Sequence, residues 1–302
     1  MKNFASILIL SLFVSTLSSA SGYWDHEQTR HYVHNSDLQM RSNWQFISSL
    51  LTVIKGNEKL LDIGSGDGRM SSLMANLLKR GEVVGIESNE NMRNWAKNQY
   101  GKDEYPNLSF KEGSYLSIKE EEEFGLVTAF FSFNSLAIDK RDQALSVIYR
   151  ALKPSGRLIM TIRPASDSNP IFAKAIEKTI SASKWRKYFN NRKEKLKYET
   201  IEELKDRFDR SPFEYSTINF KASKDPFVDK TEFINWILGS VDFILAVPSK
   251  LRSQLANDII DKYIELKPDA KANKVYYGEW GRIEIVAKKL YSSKVNSSIF
   301  GS

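Results

Sequence analysis

Cysteine is absent from all 302 residues, which excludes disulfides, thiolate metal sites and cysteine nucleophiles together. The redox compartment stays open, because a chain without thiols suits oxidising and reducing surroundings alike. Histidine is scarce: His26, His31 and His34 are the only three, and they cluster near the start. Long apolar runs are missing after residue 20, so no later stretch reaches the ~20 residues that a membrane-spanning helix needs. No long lysine or arginine block occurs either; 44 basic residues stand against 37 acidic ones, a net charge of +7, and the two signs are interspersed. Charge alone therefore gives no reason to expect a nucleic-acid partner. With 15 glycines and 8 prolines the chain is neither collagen-like nor low-complexity, and 41% hydrophobic with 27% charged residues is enough to bury the core of one large domain or two small ones.

The first twenty residues have a different character. Lys2 gives a positive start, Phe4 to Leu17 is apolar or small, and Ser18-Ser19-Ala20 resembles a cleavage site before Ser21. This pattern predicts a secretory signal peptide over 1–20, with 21–302 exported as the mature chain. The other readings are a short anchor facing the cytoplasm or a buried helix in a cytoplasmic protein.

From Ser42 onward, Trp44, Phe46, Ile47, Leu50, Leu51 and Ile54 share one helical face. Lys59 to Ile63 then reads as a strand, Gly64 to Gly68 as a glycine loop, and Met70 to Leu78 as a helix. Strands follow at 82–87, weakly at 108–110, at 126–131 and at 157–162, with helices around Trp95 and over 144–152 and a turn at 153–156. Strands that alternate with helices and are apolar on both faces predict a parallel sheet covered on two sides. Beyond residue 164 the chain predicts helices at 172–182, 185–197, 201–208, 230–238 and 248–266, a strand at 213–221, and two strand-like runs in 274–291 around Gly278-Glu279-Trp280-Gly281. The acidic run Lys119 to Glu123 is expected to be a solvated helix end. The basic, aromatic stretch 184–197 is expected to be a solvated amphipathic helix rather than a nucleic-acid or membrane patch.

The informative segment is Leu61-Asp62-Ile63-Gly64-Ser65-Gly66-Asp67-Gly68. Its glycines let backbone approach a ligand where a strand meets a helix N-terminus. It lacks the third glycine of a dinucleotide fingerprint and the Gly-Lys-Ser/Thr ending of a P-loop. Asp62 would repel a pyrophosphate and attract an ammonium group. Glu87 ends the next strand, 23 residues beyond Gly64, the spacing at which a carboxylate accepts ribose hydroxyls. An amine and a ribose together point to S-adenosylmethionine.

On these residues the chain resembles a class I S-adenosylmethionine-dependent methyltransferase over nearly all of 24–290. The resemblance implies a doubly wound, Rossmann-like α/β fold with a mostly parallel seven-stranded sheet, a core over about 42–163, and a C-terminal helical substrate cap with the final strands over about 164–291. It implies a cofactor site of Asp62, Gly64, Ser65, Gly66, Glu87, Ser88, Ser114, Tyr115 and Phe130. Two positions depart from the family pattern: Ser114 stands where an adenine-contacting acid is usual, and the fourth strand opens Phe124-Gly125 rather than Phe-Asp. More narrowly, Ala129 to Leu136, the turn from Leu152 to Leu158, and Tyr32 with Gln39 resemble the small-carboxylate O-methyltransferases that act on trans-aconitate, juvenile hormone acid or a malonyl carrier. Thr231 to Trp236, with Phe243 and Pro248, resembles their cap. This narrower likeness implies a small-molecule acid as partner, bound by Gln39, Asn134 and Trp236.

Methyl transfer is an in-line displacement driven chiefly by positioning. A carboxylate acceptor is already ionised near neutral pH and needs no general base, which suits a chain so poor in histidine; no catalytic residue is assigned. Arg163 and Arg282 are candidate cations for an acidic substrate. Glu27, His31 and His34 would share one face of a helix, but no metal is expected, and the protein is expected to be a monomer. The competing readings are a methyltransferase for RNA, protein or a hydroxylated small molecule, and an exported, inactive scaffold that only binds. Export sits uneasily with a cofactor made in the cytoplasm, unless the protein acts in another cytoplasm or remains anchored facing its own.

Overall fold

The computed structural model describes residues 26–164, 170–190 and 198–290. The expected signal peptide therefore lies outside the described residues, as does part of the basic stretch 184–197.

Two helices, α1 (His26–Asn35) and α2 (Asp37–Ser49), precede the sheet. The chain then alternates through β1 (Lys59–Ile63), α3 (Arg69–Leu77), β2 (Glu82–Ile86), α4 (Glu90–Gln99), β3 (Leu108–Lys111), β4 (Phe124–Phe130), α5 (Ile138–Ala151) and β5 (Leu152–Ile162). Next come α6 (Pro170–Ser181), α7 (Ser183–Arg186), α8 (Ile201–Asp209), β6 (Phe213–Phe227), α9 (Lys230–Ser240), α10 (Ser249–Leu266), β7 (Lys271–Ala272) and β8 (Val275–Lys289). The strand order is β3-β2-β1-β4-β5-β8-β6. β1 to β5 pair in parallel, and β8 runs antiparallel to both β5 and β6. The doubly wound sheet is thus as expected. Its continuous path has seven strands, and the two-residue β7, paired to the start of β8, makes the sheet eight-stranded.

Period-two alternation explains how one strand serves two layers. Leu61 and Ile63 face a core with Ala144, Leu145 and Ile148 of α5 and Leu204 and Phe208 of α8. Leu60 faces the opposite core with Phe46 and Ile47 of α2, Met70 and Met74 of α3, and Ala96 of α4. A third apolar cluster joins α6, α9 and α10 through Phe172, Phe233, Ile237, Ile259 and Tyr263. Strand order reverses between β1 and β4, the switch point at which open α/β sheets leave a crevice beyond their carboxyl ends.

Several expectations from sequence change here. Within the run 274–291, residues 275–289 form one strand rather than two runs around a turn, because β6 pairs continuously with β8 past Ala222↔Gly281 and Asp225↔Gly278. Gly278 makes room for an indole instead: a β-carbon on it would sit 1.8 Å from the Trp280 ring. The run 119–123 is a loop, not a helix end; Glu121, Glu122 and Glu123 pair with Arg150, Lys289 and Lys59 across the edge of the sheet. Of the helix expected at 185–197, the described residues show the short α7 followed by turns to Asn190. The stretch around the histidines, given no helix by its apolar spacing, is α1.

One ionic group is fully enclosed. Glu199 bonds Arg141 of α5 at 2.5 Å and Arg207 of α8 at 2.7 Å, and Arg207 also reaches Asp142. Glu199 is 3% exposed and Arg141 1%, and Arg141 also donates to the carbonyls of Leu136 and Asn134 in the loop after β4. Truncating one member of such a group strands the others in low dielectric. Glu199→Ala is accordingly expected to lower the unfolding free energy by about 3–5 kcal/mol in urea titrations; a loss below about 1 kcal/mol would show that water reaches the two guanidiniums.

Candidate cofactor and acceptor site

The crevice at the switch point is an open cleft with about 430 Å³ of empty space, part of it continuous with solvent. Its floor is the loop after β1. The N–H groups of Gly64 and Ser65 donate to the Ile86 carbonyl at 2.9 and 3.1 Å, folding the loop back against the end of β2. Gly64, with φ of 71°, could carry no side chain, since a β-carbon there would meet Cβ of Ser132 at 2.4 Å. Gly66, with φ of 55°, has open space where a β-carbon would lie.

Glu87 follows β2 and locks onto this loop. Its carboxylate accepts the N–H of Gly66 at 3.0 Å and that of Asn89 at 2.8 Å, with Ser88 Oγ at 3.4 Å. Loss of solvent pushes the Glu87 carboxyl above its usual range, and the two N–H donors pull against that shift. Its four lone-pair positions leave it able to accept a further hydroxyl.

Asp62 is 2% exposed and lies on β1 beneath the loop. Ser71 Oγ donates to one of its oxygens at 2.6 Å and Thr128 Oγ1 to the other at 2.8 Å. Burial outweighs these donors and raises its carboxyl to about 6. Asp67, also buried, takes Arg69 Nε at 2.7 Å, and the same guanidinium reaches Asp37 at 2.6 Å and the hydroxyl of Ser36. The glycine loop is thereby tied to the junction of α1 and α2. Tyr32, buried beside this pair, has its phenol pushed above its ordinary value, chiefly by burial.

Of the residues expected from sequence, Asp62, Gly64, Ser65, Gly66, Phe130 and Gln39 line the cleft. Trp236 is not among the lining residues but reaches one of them: its Nε1 donates to Gln39 Oε1 at 3.3 Å, while Gln39 Nε2 donates to Ser240 Oγ at 2.5 Å. Others are not brought in. Tyr115 is buried in the core, its hydroxyl 2.7 Å from Ser132 Oγ and its ring edge-on to Phe133. The Asn134 amide is engaged at both ends by the backbone of Arg163, at 2.8 and 3.1 Å, and so braces two loops rather than facing the cleft. Ser114 and Ser88 are exposed beside it. Arg282 lies buried in β8, paired with Glu284 at 2.6 Å, and Arg163 Nη2 lies 3.5 Å from the Ser240 carbonyl. Among the described residues no group of three histidine or acidic side chains could hold a metal; Glu27 and His31 approach at 4.0 Å, and His34 lies edge-on to Trp95.

Sequence reasoning missed Ser36, Met40, Asn43, Asp67, Arg69, Met70 and Phe131 in the lining. Asn43 stands one helical turn beyond Gln39 and its Oδ1 accepts Thr161 Oγ1 at 2.9 Å, a spacing visible in the sequence. Arg69 had no such signal, because Asp37 and Ser36, which it ties to the loop, are more than thirty residues away.

Residues 60–156, from β1 to the start of β5, match the methyltransferase domain family. Over those residues the chain carries a methyltransferase domain of the S-adenosylmethionine-dependent kind. It is similar to an uncharacterized methyltransferase of Alkaliphilus oremlandii, 30% identical over 101 residues, or 33% of this chain and 43% of the relative. A protein-L-isoaspartate O-methyltransferase of Myxococcus xanthus is 29% identical over 112 residues, 37% of this chain and 48% of the relative. The chain spans between 35% and 59% of the length of the first curated relatives it matches. In fold it is similar to the YcgJ protein of Bacillus subtilis, with a TM-score of 0.56 at 15% identity over 82% of this chain and 99% of that one. A phosphoethanolamine N-methyltransferase of Haemonchus contortus, solved with S-adenosylhomocysteine, gives 0.50 at 17% identity over 82% of this chain and 52% of that one.

The residues of the domain's cleft fit that cofactor. Ser65 Oγ is buried with no hydrogen-bond partner, the space over Gly66 is empty, and two acids stand where a cation and a ribose would be met. The raised Asp62 carboxyl also has a consequence for stability. Its folded value of about 6 lies above the ordinary 3.8, so the folded state holds a proton that the unfolded state releases. Stability from this group is complete below pH ~4 and is lost as pH rises through ~6. Relative to Asp62→Asn, the wild-type unfolding free energy should fall by on the order of 3 kcal/mol between pH 4 and pH 7; a pH-independent difference would show that Asp62 ionises freely.

Proposed function

We propose that this protein transfers a methyl group from S-adenosylmethionine to a carboxylate of a small-molecule acid. The observation that carries the choice of acceptor is that the groups lining the cleft that could take a proton are few and already engaged within the protein. The lining has no histidine, lysine or cysteine; both oxygens of Asp62 accept hydroxyls, Asp67 is held by Arg69, and the Tyr32 phenol is pushed above its ordinary range. A hydroxyl or ammonium acceptor would have to lose a proton here, whereas a carboxylate arrives as a nucleophile. The Myxococcus xanthus relative, named a protein-L-isoaspartate O-methyltransferase, supports an oxygen acceptor.

When bound, S-adenosylmethionine supplies an electrophilic methyl group on a positively charged sulfur. Glu87 would hold its ribose, Asp62 and the backbone of Gly64 and Gly66 its charged amino-acid end, and Phe130 would pack on its apolar parts. Gln39 and Trp236 would orient the acceptor. Ser88 and Ser114, both exposed, would lie toward its adenine. The remaining work of the site is placement and exclusion of water, because an in-line displacement needs little covalent help.

Calorimetric titration with S-adenosylmethionine tests the cofactor half. Glu87→Ala should weaken binding about tenfold or more, as expected for losing hydrogen bonds to a charged group. Affinity should rise with pH through ~6, because a cationic ligand favours ionised Asp62, and Asp62→Asn should remove that dependence. Methyl-ester formation on a panel of small acids tests the acceptor half. A folded wild type that binds no cofactor would sink the proposal, and transfer only to amines or hydroxyls would overturn the carboxylate assignment.

A further inference from the structure

Phe131 carries two costs. Its φ of 53° places a bulky side chain in the left-handed region, where non-glycine residues are strained and which recurs at functional sites. The surroundings hold it there: its N–H donates to the Thr161 carbonyl at 2.8 Å, Ser132 Oγ donates to the Ile63 carbonyl at 2.6 Å, and Asn134 clamps Arg163. The ring, meanwhile, belongs to none of the three apolar clusters. Phe130 packs against one of them and Phe133 is fully buried in another, whereas Phe131 stays half-buried and lines the cleft. A backbone held under strain thus gives the cleft an aromatic surface that the core does not use.

The charges of the cleft limit what that surface meets. Asp62 and Asp67 are buried in the lining, and its one guanidinium, Arg69, is committed to Asp67, Asp37 and Ser36. A single carboxylate on the acceptor is balanced by the sulfonium it approaches. A second would sit among acids with no uncommitted cation in the lining. Met40, Met70, Phe130 and Phe131 supply the apolar part of the lining.

We propose that Phe131 is a specificity-determining residue of the acceptor side, its ring packing on the apolar body of a monocarboxylic acid. The inference rests on the carboxylate reading above and narrows it. Octanoate and malonate serve as probes, titrated into the protein loaded with S-adenosylhomocysteine, for the wild type, Phe131→Gly and Phe131→Leu, alongside melting temperatures. The wild type should bind octanoate about tenfold or more tighter than malonate. Phe131→Gly should melt at or above the wild type, since glycine relieves the strain, and should hold S-adenosylhomocysteine within about threefold, yet lose about tenfold in octanoate affinity. Phe131→Leu should keep most of that affinity, and kcat/KM for octanoate should follow the same order. Octanoate binding unchanged in Phe131→Gly, a melting temperature lowered by several degrees in that variant, or a wild type that holds S-adenosylhomocysteine but prefers malonate or binds neither acid would each overturn the inference. Failure to bind S-adenosylhomocysteine at all would instead bring down the methyltransferase reading itself.

Discussion

The cleft depends on how closely the end of β1 approaches the end of β4. Gly64 and Ser132 meet at a distance that leaves no room for a β-carbon on residue 64, so the two loops close on each other only because that side chain is missing. Ser132 then bonds the Ile63 carbonyl and the Tyr115 hydroxyl, which joins the loops after β1, β3 and β4 into one support. Because strand order reverses at this place, the support leaves a crevice on its open side. Phe130 and Phe131 enter the lining from the same support, and the strained backbone of Phe131 is one of its results.

The acids collected there are costly to bury and are handled in different ways. Asp62 is satisfied by two hydroxyls but by no cation, and its affinity for a proton rises accordingly. Asp67 is neutralised by Arg69, whose guanidinium also bridges to Asp37. Glu87 rests on backbone donors of the loop that it holds in place. An uncompensated carboxylate beneath a glycine loop is unfavourable for folding and favourable for a cationic ligand, and that conflict is the usual mark of a binding site.

The outer wall of the cleft comes from distant parts of the chain. α1 packs on α9 closely enough that a β-carbon on Gly239 would lie 2.8 Å from the His31 carbonyl, and Gln28 reaches across to the Leu238 carbonyl at 2.9 Å. On that joint Gln39 of α2 meets Trp236 and Ser240 of α9. The N-terminal helices and the cap therefore form one wall, tied to the floor through Arg69. Floor and wall share this lining, so a change at Arg69 or Gln39 reaches both.

The sequence by itself determined the alternation of strands and helices, the glycine loop, and the acids at the ends of β1 and β2. Those signals are local: period-two and helical spacings and the backbone freedom of glycine act within a few residues. It misjudged residues 274–291, because Gly278, read as part of a turn, instead makes room for the Trp280 ring within a continuous strand. It also drew Tyr115 and Asn134 into the site, although the tertiary structure gives the hydroxyl of one to Ser132 and the amide of the other to Arg163. Only that structure brought Ser36 and Asp37 to Arg69, united Gln39 with Trp236, and left the Phe131 ring facing the cleft. Each of these rests on contacts between segments far apart in the chain, and such contacts exist only once the sheet has set the loops at its carboxyl edge beside one another.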